Sequence, residues 1–387
     1  MEWKEVTLGD FMQCNPKRAI KKGQKARKIT MDLLIPHSKT IRNWNYEPYN
    51  GGAKFQNGDT IMARITPCLE NGKHAFVSIL DKGEIAYGST EYFVFCGKEE
   101  VSDNDFVYYL TKTPLFRDTA IKSMVGSSGR QRAQMDVLEN LKMLVPKDIS
   151  DQRRIASILS SLDRKIELNN KINADLEEMA QAIFKNWFVD FEPFKDGKFV
   201  DSELGMIPEG WKVGTLDEIF SLKYGKNLST SMILEKGDYP VYGANGIIGY
   251  YNEFNCDKYS VLVTSRGNGS GDVSRTHHPK SFITNNSFVV EPLEHYKYIK
   301  LPFINGLFNI IDFKSYCSGS AQPQLTNKAM RNICIISPPM EIVIKYCEML
   351  ETLFSHIECV IDENSRLSLL RDTLLPRLMS GELEVPE

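Results

Sequence analysis

Apolar residues recur at alternating steps of four and three along one stretch of the chain, and the same pattern returns 191 residues later. This spacing places the side chains on one side of an α-helix, so each copy predicts a long amphipathic helix that needs a packing partner. We call these positions the helix seam. The first copy comprises Ile155, Leu159, Leu162, Ile166, Asn169, Asn173, Leu176, Met179, Ile183 and Trp187, and the second comprises Tyr346, Leu350, Leu353, Ile357, Val360, Asn364, Leu367, Leu370, Leu374 and Leu378.

The two predicted helices could be ordinary core helices of separate domains, or they could pack against each other. Their common phase favours mutual packing, and about 35 residues would span roughly 50 Å. If a twofold relates the copies, Asn169 faces Asn364 and Asn173 faces Val360, with asparagine helping to fix the register. Pro376 predicts a kink or an early end in the second helix, because proline lacks the backbone donor. The helices therefore need not have equal lengths.

A repeat of this period is too long for a solenoid, whose units recur every ~20 to 50 residues. The chain is therefore predicted to consist of two similar halves. In the first half, short β-like runs such as 60–65 and 92–95 follow turn signals, and a helical pattern occupies about 103–120. Each half is thus predicted to be an α+β domain with an irregular, mostly antiparallel sheet.

The predicted domain limits follow from these patterns. Trp3 recurs as Trp211, Ala63 and Arg64 match Ser265 and Arg266, and the run 90–94 matches 286–290. The five predicted segments are a first α+β domain at 1–148, a long helix at 149–192, a connector at 193–208, a second α+β domain at 209–337, and a distal helix and tail at 338–387.

The polar loops differ between the halves although the apolar frame matches. Basic residues concentrate at 17–28, and the segment 126–134 combines glycine, serine, arginine and glutamine. These segments are either plain solvated loops or contacts to phosphates and base edges, for which arginine and glutamine are suited. The candidate nucleic-acid contacts are Arg18, Lys21, Lys22, Lys25, Arg27, Arg64, Arg130, Arg132, Gln134, Asn245, Arg266, Asn268, Gln322 and Gln324.

Composition narrows the class of protein. With 387 residues, of which 42% are hydrophobic, the chain has room for two or three globular domains. A formal charge of −3 gives no overall basic signature, so any nucleic-acid contact must come from local patches. No apolar run is long enough to cross a bilayer and no leader precedes Trp3, so we expect a cytoplasmic protein without membrane contact. The eight cysteines form no Cys-x-x-Cys pair, so reduced thiols are expected.

The sequence contains no convincing catalytic motif. The glycine-rich run 266–271 lacks the Gly-Lys-Ser/Thr of a phosphate-binding loop, and there is no Gly-x-Ser-x-Gly elbow. Adjacent His277 and His278 would point apart in an extended chain, which favours a loop or groove contact over a metal site. We therefore expect no catalytic residues, no metal and no cofactor.

Several segments together resemble the specificity subunit of type I restriction-modification systems. The resemblance extends over the whole chain and includes a characteristic run in the first helix, motifs in both α+β domains and the ending of the second helix. The matching segments are 64–73, 151–155, 159–169, 182–188, 239–246 and 374–383.

This resemblance implies a non-catalytic reader of double-stranded DNA. Each α+β domain would be a target-recognition domain that binds one half of a bipartite site, and an antiparallel, coiled-coil-like helix pair would set the spacer. The helices would dock two S-adenosylmethionine-binding methylation subunits and, through them, two ATP-dependent restriction subunits. Three alternatives stay open: the specificity subunit of a fused type II-like restriction-methylation enzyme, a self-contained DNA-modifying enzyme, and a protein-binding scaffold without DNA.

Overall fold

The chain folds into two compact units. The computed structural model describes residues 1–234, 236–244, 246–267, 269–319 and 323–385. Module 1 consists of Met1–Asn169 and Glu363–Glu387, and module 2 consists of Asn170–Asp362. Each module therefore contains one α+β half together with part of both long helices. Within the described ranges, no helix is both long enough and apolar enough to span a membrane.

Module 1 is a mixed α and β structure, as the sequence predicts. Its strands are β1 Trp3–Thr7, β2 Met12–Cys14, β3 Lys25–Ile29, β4 Asn45–Pro48, β5 Lys54–Gln56, β6 Thr60–Ala63, β7 His74–Phe76, β8 Ile85–Gly88, β9 Tyr92–Gly97 and β10 Lys142–Pro146. Its short helices are α1 Leu8–Phe11, α2 Asn104–Leu110, α3 Pro114–Lys122 and α4 Met135–Glu139, and the long helix α5 Ile149–Phe188 begins here.

Two four-stranded sheets and a two-stranded ribbon make up this module. One sheet has the order β2-β9-β6-β7 and is antiparallel throughout. The other has the order β4-β3-β8-β5, and its β3–β8 pair is parallel. Strands β1 and β10 form the ribbon that leads into α5. The Asp103 side chain accepts a hydrogen bond from the Phe106 backbone and so caps the start of α2.

Module 2 continues the numbering after α5. Its strands are β11 Phe199–Ser202, β12 Gly205–Pro208, β13 Lys212–Thr215, β14 Phe220–Tyr224, β15 Tyr239–Gly243, β16 Gly246–Tyr251, β17 Val261–Thr264, β18 Val273–Arg275, β19 Phe282–Ile283, β20 Ser287–Pro292 and β21 Cys334–Ser337. Its helices are α6 Leu216–Ile219, α7 Leu301–Ile310, α8 Asn327–Arg331 and the long helix α9 Met340–Met379.

The topology of module 1 is repeated in module 2. The sheet β14-β20-β17-β18 corresponds to β2-β9-β6-β7, and β16-β15-β19 corresponds to β4-β3-β8 with the same parallel central pair. Strands β13 and β21 form the ribbon that leads into α9. The predicted connector is more ordered than its polar sequence suggests, because β11 and β12 pair as a hairpin within it.

The strand pairing corrects our alignment of the two halves by one residue. Ala63 pairs with Tyr92, whereas Thr264 pairs with Ser287, so Arg64 corresponds to Ser265 rather than to Arg266. The run 90–94 therefore corresponds to 285–289. A slip of one residue moves every side chain of a strand to its other face, so similarity of residue type alone did not fix this register.

The helices α5 and α9 have 40 residues each. In module 1, Ile155 and Leu159 are buried in one core with Leu375 and Leu378. In module 2, the Phe184 ring contacts the Tyr346 ring at a centroid distance of 5.8 Å. The helices therefore run antiparallel within each module. The early end expected at Pro376 is wrong, because α9 includes this proline and continues to Met379.

Candidate functional site

The basic segment 17–28 contains two arginines held in ion pairs and several exposed lysines. Arg18 donates to the Asp59 carboxylate at 2.8 Å, and Asp59 is only 1% exposed. Burial raises the pKa of Asp59, against the opposing effect of Arg18. Arg27 contacts Asp81 at 3.0 Å and Glu84 at 3.3 Å. These two arginines therefore hold loops together, and Lys28 is paired with Glu47 at 2.8 Å. The exposed cations of the segment are Lys17, Lys21, Lys22 and Lys25.

The exposed part of this segment borders aromatic side chains that the sequence analysis missed. Lys21, Lys22 and Lys25 are exposed at the start of β3. Trp44 and Tyr46 are 42% and 63% exposed, and both line a groove of about 600 Å³ that also includes Lys25. Exposed aromatic residues beside β-strand lysines offer both stacking and charge to a nucleic acid.

A second group of candidates converges on a single carboxylate. Arg64 donates to Glu91 at 3.1 Å, and Arg132 donates to Glu91 at 2.7 Å, although these residues are far apart in sequence. Hydrogen bonds from Arg132 and then from Arg64 lower the pKa of Glu91 despite partial burial. We call Arg64, Glu91 and Arg132 the arginine fork. Both guanidinium groups are only partly buried, with side-chain exposures of 35% and 41%.

The loop 126–134 supplies further polar groups to this position. Gln134 donates to the Arg132 backbone oxygen at 2.8 Å, and Arg130 is exposed on the adjoining turn. Arg64 also lines a pocket of about 600 Å³ with Lys17, Arg18 and other residues. Arg64 therefore shares the Glu91 carboxylate with Arg132 and a pocket with Lys17 and Arg18.

The equivalent position in module 2 carries different chemistry. Arg132 forms an isolated bridge with Ile65, whereas Gln324 forms the corresponding bridge with Arg266. The position of Arg132 in module 1 is therefore taken by Gln324 in module 2, with Arg266 beside it. The other predicted contacts of this half, Asn245, Asn268 and Gln322, lie outside the described residues.

The helix seam lies within the cores of both modules. Asn169 donates to Asn364 at 2.9 Å and to Glu363 at 2.7 Å, so the expected asparagine contact is present. Ile155, Leu159, Leu350, Ile357 and Val360 are fully buried. Partly buried seam positions are Leu162, Ile166, Asn173, Leu176, Ile183, Leu353, Leu367 and Leu374.

Two seam assignments are wrong. Met179 and Leu370 are 53% and 46% exposed, and their neighbours Ala180 and Arg371 are buried instead. An α-helix has 3.6 residues per turn, so a strict four-three stripe drifts off the contact face of a straight helix. Arg371 instead donates to Asp163 at 2.7 Å, and Asp163 also accepts from the Tyr109 hydroxyl at 2.6 Å.

The two adjacent histidines belong to the packing of β18 and β15. The His277 backbone donates to the Tyr242 hydroxyl at 2.8 Å, and the same hydroxyl lies 3.4 Å from His278. Among the described residues, no cluster of histidine, cysteine, aspartate and glutamate is placed to hold a metal ion. These histidines therefore stabilise a loop in this structure.

The burial of His277 predicts that the folded chain loses stability in mild acid. Burial, with smaller contributions from the nearby Arg275 and His278, lowers the pKa of His277 to about 4. The pKa of a histidine in an unfolded chain is about 6.5. Between these values the unfolded chain binds a proton that the folded chain does not, so stability falls as the pH drops through this window. We expect His277→Asn to lose less stability than the native chain between pH 7 and pH 5, as measured by urea unfolding. His356→Asn, which alters an exposed histidine, should behave like the native chain.

Comparison with known proteins identifies relatives over most of the chain. The family model for the type I restriction modification DNA specificity domain matches residues 1–178 and 208–367. The MjaIX type I restriction enzyme specificity subunit of Methanocaldococcus jannaschii is 29% identical over 309 residues, covering 73% of this chain and 70% of that protein. The HindI specificity subunit of Haemophilus influenzae is 25% identical over 475 aligned residues, covering 99% of this chain and 100% of that protein. A crystal structure of the S subunit from M. genitalium aligns with a TM-score of 0.49 and 20% identity, over 98% of this chain and 96% of that chain.

Proposed function

This chain belongs to the type I restriction modification DNA specificity family, and from that membership we propose how it selects its DNA site. Proteins of this family are non-catalytic DNA-recognition subunits that work in a complex with methylation and restriction subunits. Module 1 and module 2 each bind one half of a bipartite site in double-stranded DNA. The paired helices α5 and α9 set the spacer between the half-sites and dock two S-adenosylmethionine-binding methylation subunits. Two ATP-dependent restriction subunits join through these.

The observation that carries this proposal is the change of side chain at an equivalent position of the two modules. Arg132 occupies the bridge position in module 1 and Gln324 occupies it in module 2. Arginine is suited to the O6 and N7 acceptors of guanine, and glutamine is suited to the N6 and N7 groups of adenine. The same frame therefore presents different donors, as expected for recognition of two unlike half-sites.

The electrostatics of module 1 support a DNA contact at the arginine fork. Glu91 holds Arg64 and Arg132 in fixed positions while leaving both guanidinium groups accessible. Preorganised donors lose less conformational freedom on binding. The exposed Lys21, Lys22 and Lys25 are suited to phosphate contacts, which position the protein without specifying sequence.

The alternatives make different predictions. A self-contained modifying enzyme would transfer methyl groups or cleave DNA as a purified single chain. A protein-binding scaffold would show no salt-dependent affinity for DNA. A fused type II-like system is not favoured, because the relatives are specificity subunits of type I enzymes.

Co-expression with the methylation subunit tests the proposal directly. Mapping of modified adenines in the host DNA should yield one bipartite sequence with a fixed spacer. Methylation scattered without a common sequence, or methyl transfer by the isolated chain, would contradict the proposal.

Replacing Arg132 should affect only one half-site. We expect Arg132→Ala to lower affinity for the native site by about ten- to a hundredfold and to relax base preference at one position of the half-site bound by module 1, consistent with ~1–3 kcal/mol per bidentate base contact. Gln324→Ala is the matched variant, because it alters the equivalent residue of module 2. Its effect should appear in the other half-site. A uniform loss across all DNA sequences would instead assign Arg132 to phosphate contact.

A further inference from the structure

Module 2 contains an open groove along the first half of α9. The groove has a volume of about 650 Å³ and lies between α9, the start of α7 and the loop before β17. Its lining includes the aromatic residues Tyr259, Tyr298 and Phe354. Acidic side chains border it along α9, at Glu348, Glu351 and Glu358.

Module 1 has its own segment at the corresponding position. Residues 30–44 connect β3 to β4, and the Phe76 backbone at the edge strand β7 donates to the Lys39 oxygen at 2.9 Å. The Lys39 ammonium group lies 2.5 Å from Asp105 on α2. Ile41, in the same segment, is only 2% exposed. This segment therefore passes along the edge of the sheet and reaches the helices.

The contact with the long helix is an arginine–carboxylate pair. Arg42 donates through two nitrogens to Glu167 on α5, at 3.1 and 3.0 Å. Since α5 starts at Ile149 and α9 at Met340, Glu167 corresponds to Glu358. Likewise α2 corresponds to α7, whose start lines the groove. The acidic position that Arg42 covers in module 1 is thus part of the open groove in module 2.

Among the described residues of module 2, no segment equivalent to 30–44 lies over the groove. The counterpart of 30–44 between β15 and β16 consists of residues 244–245 alone. Arg275 partly takes the role that Arg42 has in module 1. Its guanidinium group lies 4.0 Å from Glu358 and 5.4 Å from the centre of the Phe354 ring. The distance to Glu358 is too long for a hydrogen bond. Glu358 therefore keeps capacity for another donor, and burial raises its pKa.

We propose that this groove binds a basic and apolar segment of a partner chain, in place of the segment that module 1 supplies for itself. An arginine or lysine of this partner segment pairs with Glu358, and a second basic side chain pairs with Glu351. An apolar side chain of the segment packs on Phe354 and Tyr298. Lys258 and Lys300 also line the groove, but Lys258 is paired with Glu291 at 2.7 Å. The three glutamates lie together along α9, so this side of the groove favours a basic occupant.

Within the function proposed above, on which this step rests, the methylation subunit supplies the segment. Only module 2 has the open groove among the described residues, so each chain accepts one such segment. The two methylation subunits are then held by unequal contacts, although the helices that carry them are repeats.

A peptide copied from module 1 provides the probe. A fluorescein-labelled peptide of residues 36–45 contains Lys39, Ile41 and Arg42. Fluorescence anisotropy with the purified full-length chain should show saturable binding to one site per chain. Glu358→Gln should weaken binding about tenfold, the factor expected for losing one charge-assisted hydrogen bond.

Two controls separate the groove from general charge attraction. Glu167→Gln alters the equivalent position of module 1 and should leave the affinity within about twofold of the native value. A peptide with glutamine in place of Arg42 should bind the native chain about tenfold more weakly, with no further loss on Glu358→Gln, as expected in a double-mutant cycle. Absence of binding to the native chain, or equal binding by the Glu358→Gln chain, would overturn the proposal.

The identity of the occupant has its own test. The assembled complex with the methylation subunit should fail to bind the peptide, because its groove is filled. If the complex binds as well as the isolated chain does, the methylation subunit is not the occupant and the inference fails. Site-specific methylation mapped in the same preparation reports separately on the proposed function.

Discussion

A chain in which both long helices are lengthened by one turn should methylate a site with a longer spacer and unchanged half-sites. Insertion of four residues adds ~6 Å to each helix, which corresponds to about two base pairs at ~3.4 Å each. Insertions after Asn170 in α5 and before Ile361 in α9 fall near the boundary between the modules. Methylation at the original site should then be lost, and mapping of modified adenines should recover the new spacing.

Lengthening only one helix provides the control. A single insertion in α5 shifts its residues against those of α9, and the hydrogen bond from Asn169 to Asn364 cannot form together with the contacts of both cores. We expect this variant to lose stability and methylation at every spacing. Altered half-sites in the doubly lengthened chain would show that the helices also take part in base recognition.

Arg371→Ala should destabilise the chain strongly, because it breaks a buried ion pair of module 1. Asp163 and Arg371 have side-chain exposures of 7% and 9%, and their charged atoms are 2.7 Å apart. Removing one partner of a buried pair leaves an uncompensated charge and costs about 3–5 kcal/mol. A loss of this size would consume much of the ~5–15 kcal/mol by which native proteins are stable. Urea unfolding of the purified chain measures it.

Module 2 provides the matched control for this pair. At the positions equivalent to Asp163 and Arg371 it has Phe354 and Ala180, both buried. The double variant Asp163→Phe with Arg371→Ala should therefore recover much of the loss, since apolar replacements of buried pairs are often neutral or stabilising. If the double variant is as unstable as Arg371→Ala, the lost ion pair is not the source of the instability.

The sequence predicts the repeated frame well because the frame depends on apolar periodicity. Both long helices, the α+β character of each half and the Asn169–Asn364 contact follow from spacing that a helix must satisfy. Apolar periodicity does not predict where ionic side chains are buried. Arg371 lies at the contact face, but a pattern of apolar residues assigns the face to its neighbour Leu370.

The predicted contact residues were less well defined by the sequence. Arg18 and Arg27 are part of a basic run, yet their acidic partners Asp59, Asp81 and Glu84 are many residues away. Which cations are accessible is therefore decided by tertiary contacts. The arginine fork has the same origin, because Glu91 is brought between Arg64 and Arg132 only when β9 pairs with β6.

Module 1 also joins segments that are far apart in the chain. Leu383 packs against its core, and an added Cβ atom on Gly381 would lie 2.7 Å from the Trp3 ring. A short linker from the segment after Gly381 to the segment before Trp3 would therefore span little distance. A gene opened instead within 193–208 would encode the second α+β half before the first, and we expect the same contacts to form. The contacts of module 1 therefore allow either order of the two α+β halves in the chain, provided that α5 still pairs with α9.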